Sequence, residues 1–153
     1  MKNISIEIIE KLPHDSKFAD QYRCILNIAN KKVKFFPPVN IWSIDEYKKQ
    51  WQEGLQKILI ENTSCIVTDV ADIGEFPTIM MWDLFKEGDT VYCQGKCLHR
   101  TSIPISFYEI SFTVENCYKF IGKRRPKDAI GVLAFKIEPE DFKISELWKK
   151  RDL

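Results

Sequence analysis

The stretch Trp42-Ser43-Ile44-Asp45-Glu46-Tyr47-Lys48-Lys49-Gln50-Trp51-Gln52-Glu53-Gly54-Leu55 decides how the rest of the chain is read. Ser43 followed three residues later by Glu46 is a capping box: the serine oxygen takes the Glu46 N–H, and the glutamate reaches back to the Ser43 N–H. Trp42 before the cap and Tyr47 at the fourth helical position are placed to close a hydrophobic staple. Ile44, Tyr47, Trp51, Leu55, Ile58 and Leu59 then step by three or four residues and share one face, while Lys48, Lys49, Gln52, Glu53 and Gln56 fall on the other. This predicts an amphipathic helix over about 43–61, ended by Asn62-Thr63-Ser64, that lies on a sheet. Nothing in it is catalytic.

Outward from the helix the chain reads as strands. Ile4–Ile9 alternates with period two and is expected as an edge strand. Gln21–Ile28 and Val33–Phe36 are expected as a hairpin turning at Asn30-Lys31-Lys32, and Pro37-Pro38 ends it before the helix. After the helix come Cys65–Val70, Thr78–Phe85 and Thr90–Leu98, joined by short connections of which Lys86-Glu87-Gly88-Asp89 is the clearest turn. Three strands on short links form an antiparallel meander rather than βαβ units. Phe107–Ile110 is too short to assign. Thr113 is expected to cap a second helix over about 114–121, with Gly122 as its C′ residue. Ile130–Ile137 reads as a late strand, Pro139–Phe142 opens a turn of helix or loop, and the tail carries no pattern. The expected fold is α+β, with residues 1–153 as one domain: an antiparallel meander packed against one long and one short helix.

Composition narrows the function. Net charge is +1 with 29% charged residues, which gives no global bias toward nucleic acid or membrane. The charge is unevenly placed: residues 1–62 hold ten Lys/Arg against eight Asp/Glu, residues 63–99 two against six, and residues 100–153 eleven against eight. An acidic block therefore lies between two mildly basic ones. Its members Asp69, Asp72, Glu75, Asp83, Glu87 and Asp89 fall at the strand ends and turns of the meander, near Trp82, Phe85 and Tyr92. Such a rim suits a basic protein partner. The amino-terminal alternation lacks the apolar core of a signal peptide, so a cytoplasmic protein with reduced Cys24, Cys65, Cys93, Cys97 and Cys117 is expected.

Candidate chemistry is sparse. Cys93, Cys97 and His99 at even spacing share a side of a regular strand, but a structural zinc site needs a second ligand pair, and none follows. His14 and His99 have no motif context for nucleophilic catalysis, and no glycine loop cradles phosphate. No cofactor and no enzymatic activity are expected. Lys123-Arg124-Arg125-Pro126-Lys127 is the one basic cluster. It either complements a helix C-terminus or contacts a phosphate backbone, the latter leaving open a small RNA-binding or hydrolytic domain.

The helix carries a family resemblance. Trp42, Ile44, Glu46, Tyr47, Lys48, Trp51, Gly54 and Leu55 resemble the W-x-I-x-D/E-Y-K-x-x-W-x-x-G/S-L segment of contact-dependent growth inhibition immunity proteins. Ser64–Thr68 is similar to that family's following strand, Met81–Phe85 with Gly88–Gln94 to its hairpin, and Thr113–Ile121 to its second helix. The likeness spans about residues 39–121. The family's usual Gln-Asn pair is here Gln94-Gly95, and the amino-terminal strands and carboxy-terminal third match weakly. The resemblance implies a cytoplasmic antitoxin that binds the C-terminal toxin domain of a surface exoprotein one to one. It further implies a toxin that is a nuclease, an RNase rather than a DNase, whose active site the antitoxin covers, with no direct contact to nucleic acid or membrane. From the acidic block, Asp69, Asp72, Glu75, Glu87 and Asp89 are the expected toxin contacts.

Overall fold

The computed structural model describes residues 4–13, 21–71, 77–99, 103, 111–138 and 143–146. The long helix, α1, spans Ile44–Ile60, and its start is as read. Glu46 N donates to Ser43 Oγ at 3.1 Å and Ser43 N to Glu46 Oε1 at 3.2 Å, and the Trp42 and Tyr47 rings lie 5.3 Å apart. Tyr47, Trp51, Leu55 and Ile58 are buried as their spacing demands, but so are Gln50 and Gly54. Those two decide how the helix docks.

The strands form two four-stranded sheets rather than one meander. The first is built from β1 (Ile4–Lys11), β2 (Tyr22–Ile28), β3 (Lys31–Phe35) and β8 (Lys143–Glu146), in the order β3-β2-β1-β8. Strand β1 is therefore interior. Its second neighbour is the tail strand β8, which runs parallel to it with Ser5 opposite Lys143. The β2–β3 hairpin pairs Ile28 with Lys31, so its turn is Ala29-Asn30, both at positive φ (46° and 71°), one residue earlier than expected. Two successive left-handed residues match the strand twist in a two-residue hairpin.

The second sheet contains the expected meander, β4 (Thr63–Ala71), β5 (Thr78–Glu87) and β6 (Thr90–Leu98), extended by β7 (Val132–Lys136) in the order β4-β5-β6-β7. Gly88, at φ 62°, makes the β5–β6 turn, and Glu87 faces Thr90 across it. One buried cluster runs from Ile4, Ile6 and Ile8 through Trp51 to Ile66, Leu84 and Val91, joining both sheets and the helix.

Strand β4 is an edge, and an edge exposes unpaired backbone groups. Helix α1 covers this one with side chains. Gln50 donates through Nε2 to Cys65 O and accepts through Oε1 from Val67 N, each at 2.8 Å. Trp51 Nε1 donates to Val67 O at 2.7 Å, and Tyr47 Oη accepts from Val70 N at 2.9 Å. Gly54 permits the approach, since a Cβ there would stand 2.4 Å from Cys65 O.

The second helix is a correction. Residues 117–120 form a single 3-10 turn, Cys117–Phe120. Its N-cap is Asn116, without a side-chain cap bond, not Thr113; Thr113 and Asn116 exchange hydrogen bonds just ahead of it, and the chain leaves helical geometry at Ile121 (ψ 125°). The reason is tertiary: by extending, it brings the Gly122 N–H onto Asp83 Oδ2 at 3.0 Å. Gly122 is thus not a left-handed C′ residue. Its missing side chain instead makes room for Lys96 Nζ, 3.2 Å from where a Cβ would be. Residues 107–110, 139–142 and His14 lie outside the described residues.

Candidate binding surface

The acidic block does not form one rim. Asp83 lies inside it, fully buried, with Lys96 Nζ at 2.8 Å and Gly122 N as partners. Burial raises its carboxyl above the ordinary range, against the pull of the Lys96 ammonium. Lys96 also donates to Phe120 O. This pair therefore fastens the 3-10 segment to the sheet.

Glu87 and Asp89 stand at one end of the second sheet. Glu87 is exposed and held by two cations of the basic cluster, Arg124 Nη2 at 2.9 Å and Lys127 Nζ at 2.7 Å, which lower its carboxyl pKa. Both cations also lie over the Tyr92 ring, at 4.7 and 5.2 Å. The main chain beneath is fixed by Gln94, which donates to Lys123 O and accepts from Arg125 N. The basic cluster thus follows a 3-10 turn too short to carry a useful dipole, and two of its charges are committed to Glu87 and Tyr92. Asp89 is exposed, and its carbonyl accepts from Ile137 N at 2.8 Å.

Asp69 is at the opposite end. It faces Met80, seven residues along β5 from Glu87, or about 23 Å at strand rise. Its orientation comes from a β-bulge. The β4–β5 register slips between Val67 and Asp69, so that Val67 faces Met81 while Asp69 faces Met80. Opposed residues share a face; in an unbulged ladder Thr68 would face Met80 and Asp69 would face Ile79, on the side of Val67 and Met81. Thr68 holds the bulge by donating from Oγ1 to Met80 O at 3.1 Å. Bulges commonly re-aim a side chain in this way.

The bulge turns Asp69 toward a cleft of about 590 Å³ between β3 and the face of β4–β5–β6. Lys34, Phe35 and Phe36 form one wall; Asp69, Met80 and Trp82 belong to the other. Trp82 lies across Gly95 on the neighbouring strand, where a Cβ would come within 3.3 Å of the indole. Gly95 therefore seats this ring. Phe36 (42% exposed) and Met80 (46%) leave apolar surface at the cleft mouth. Within, Asp69 Oδ1 is shut from solvent with no hydrogen-bond partner among the described residues, and burial pushes the carboxyl up to about 6. Asp72 and Glu75 lie outside the described residues.

The acid-rich segment pointed to Asp69, but the cleft was not visible, because β3 reaches it from the other sheet. Cys93 and Cys97 do share a face, opposite Leu84 and Met80. Only Cys97 is near His99, Sγ to Nδ1 4.0 Å, and among the described residues no group of three or more metal-ligating side chains comes together. All five cysteines are free thiols. Among the described residues no helix is long and apolar enough to cross a membrane.

Comparison with known proteins agrees with this architecture. Residues 37–133 match the CdiI N-terminal domain. A chain of the solved "CdiA-CT/CdiI toxin and immunity complex from Enterobacter cloacae" is similar in fold, with a TM-score of 0.65 at 19% identity over 90% of this chain and 91% of that one. No curated protein matches. The matched segment holds the capped helix, the edge strand it covers and the meander, and on that ground the chain belongs to the CdiI N-terminal domain family of contact-dependent growth inhibition immunity proteins.

Proposed function

We propose that this chain is an antitoxin that binds the C-terminal toxin domain of a CdiA exoprotein, one to one, in the cytoplasm of the producing cell. The observation that carries the reading is the family match across residues 37–133. The fold shared with a chain of a toxin–immunity complex supports it. The protein acts by occupying surface, not by catalysis: it covers the toxin's active site, and the toxin is a nuclease, an RNase before a DNase. An acidic surface on a near-neutral inhibitor suits a nuclease because the substrate groove of such an enzyme is basic, and opposite potentials speed encounter.

Asp69, Asp72, Glu75, Glu87 and Asp89 are proposed as the toxin contacts. Their weights differ. Glu87 already has two cationic partners and must share or surrender them to meet a third. Asp69 has none to surrender among the described residues.

The test is calorimetric titration against the toxin domain encoded immediately upstream, with growth rescue on co-expression. Tight 1:1 binding that abolishes toxicity is the expected result. Rescue without loss of nuclease activity in a purified assay would remove the active-site step, and absence of binding would remove the antitoxin reading.

A further inference from the structure

We propose that the cleft between β3 and β4–β5–β6 is a socket for one protruding lysine or arginine of the protein partner, with Asp69 as its counter-charge and Trp82, Phe36 and Met80 against its aliphatic stem. The inference rests on the antitoxin reading and names which surface and which partner chemistry it uses.

Three independent features converge on the cleft. The first is a buried carboxylate oxygen without a partner among the described residues, a group whose desolvation they leave uncompensated. The second is the bulge at Thr68, which puts Asp69 on the side of Met80 and the cleft instead of that of Val67 and Met81. The third is the wall chemistry. Of the large apolar side chains left exposed among the described residues, Phe36 and Met80 both line this mouth, and Trp82 is laid flat by Gly95. A carboxylate set among aromatic and thioether surface fits a long cationic side chain, whose methylenes pack while the charge is neutralised. An arginine or lysine seated in such a pocket is the kind of anchor that dominates interface energetics.

The charged and titratable groups that face Asp69 support this choice. From β2 and α1 come Cys24 and Tyr47, both pushed up by burial and uncharged near neutrality. Lys96 on β6 lines the cleft but is already paired with Asp83. Lys34 on β3 is exposed to water at the rim and, among the described residues lining the cleft, is the one like charge without a carboxylate partner that an incoming cation must pass.

The experiment measures affinity for the upstream-encoded toxin domain with the wild-type chain and with Asp69→Asn, Phe36→Ser and Lys34→Ala. Asp69→Asn is expected to weaken binding by about tenfold or more at pH 7.5, the usual scale for removing one partner of a desolvated charge pair. Phe36→Ser, at a position 42% exposed, is expected to weaken it several-fold. Lys34→Ala is expected to leave it unchanged or tighter. A cation beside Asp69 lowers its pKa in the complex, so wild-type affinity should fall as pH drops below about 6, by up to about tenfold per pH unit, and the gap to Asp69→Asn should close. If the wild type binds tightly while Asp69→Asn and Phe36→Ser bind equally well, the socket is overturned and the antitoxin reading stands. Loss of binding in Lys34→Ala alone would mean an anionic occupant and also overturn it. A wild type that does not bind removes both readings together.

Discussion

Strand β4 meets two opposite surroundings within six residues. Along its outer edge, from Cys65 to Val70, buried backbone groups meet side chains of α1: Gln50 closes on Cys65 and Val67, Trp51 on Val67, Tyr47 on Val70. At Asp69 the bulge turns a carboxylate toward a cleft where one oxygen has no hydrogen-bond partner among the described residues. Burial alone does not separate these regions; polar satisfaction does. A buried group with its partners present contributes to the fold, and one without them is a cost that the fold carries for another reason.

The sharpest way to break this contrast is to open the seam. Trp51→Ala removes a fully buried ring and strands Val67 O, so unfolding by urea should show a loss of about 3–5 kcal/mol. Gln50→Leu keeps the volume and deletes both amide bonds, leaving Cys65 O and Val67 N unpaired at a cost of about 2–4 kcal/mol. Gly54→Ala tests closeness alone. Helix propensity favours alanine by about 1 kcal/mol, but the Cβ meets Cys65 O at 2.4 Å, so the net effect should be a loss of about 1–3 kcal/mol. A neutral Gln50→Leu would show that packing holds the seam and that its hydrogen bonds merely coexist with it.

At Asp69 the sign reverses. Its carboxyl rises from an ordinary 3.8 to about 6 in the folded chain, so the native state binds the proton more tightly than the unfolded one. Stability from this group is therefore highest below about pH 4, declines as pH rises to about 6, and stays low above it, by on the order of 3 kcal/mol in all. Asp69→Asn removes the charge but not the need for a partner, so it should recover about 1–3 kcal/mol of this at pH 7.5. Thermal melts of variant and wild type across pH 4–8 check it: the variant melts higher at pH 7.5 and the two curves converge toward pH 4. An equal gap at every pH would place the gain somewhere other than the carboxylate.

How much of this was legible in the sequence follows from the range of each signal. The capping box, the staple and the Gly88 turn act within a few residues, and each is found where Ser43, Glu46 and Gly88 place it. Gln50 was not legible as a core residue, because its role depends on an edge strand fifteen residues away. Strand β1 was misplaced at an edge since its second neighbour, Lys143–Glu146, is a short segment with no apolar periodicity that arrives from the far end of the chain. The second helix failed for a related reason. Thr113 and Asn116 exchange hydrogen bonds just ahead of it, but Asp83 takes the Gly122 N–H and the chain runs straight. The acid-rich segment drew attention to Asp69 and Glu87 alike, and only the register shows that one is clamped at a turn and the other faces a cleft.

Glu87 supplies the smallest expected effect and the control for the comparison. It too touches two partners, yet it is exposed, and solvent and salt already satisfy charges at such a site. Glu87→Gln should therefore leave the melting temperature unchanged within the reproducibility of a scan, at low and at moderate salt. The chemistry of its neighbours should change more than the stability. Arg124 and Lys127 keep their contact with Tyr92 but lose the anion between them, which turns this end of the sheet positive. If toxin association is steered by the acidic surface, the variant's on-rate should fall modestly and the deficit should vanish as salt rises, with the dissociation rate untouched. A change in dissociation instead would put Glu87 inside the buried interface and make the turn end, not the cleft, the anchoring side.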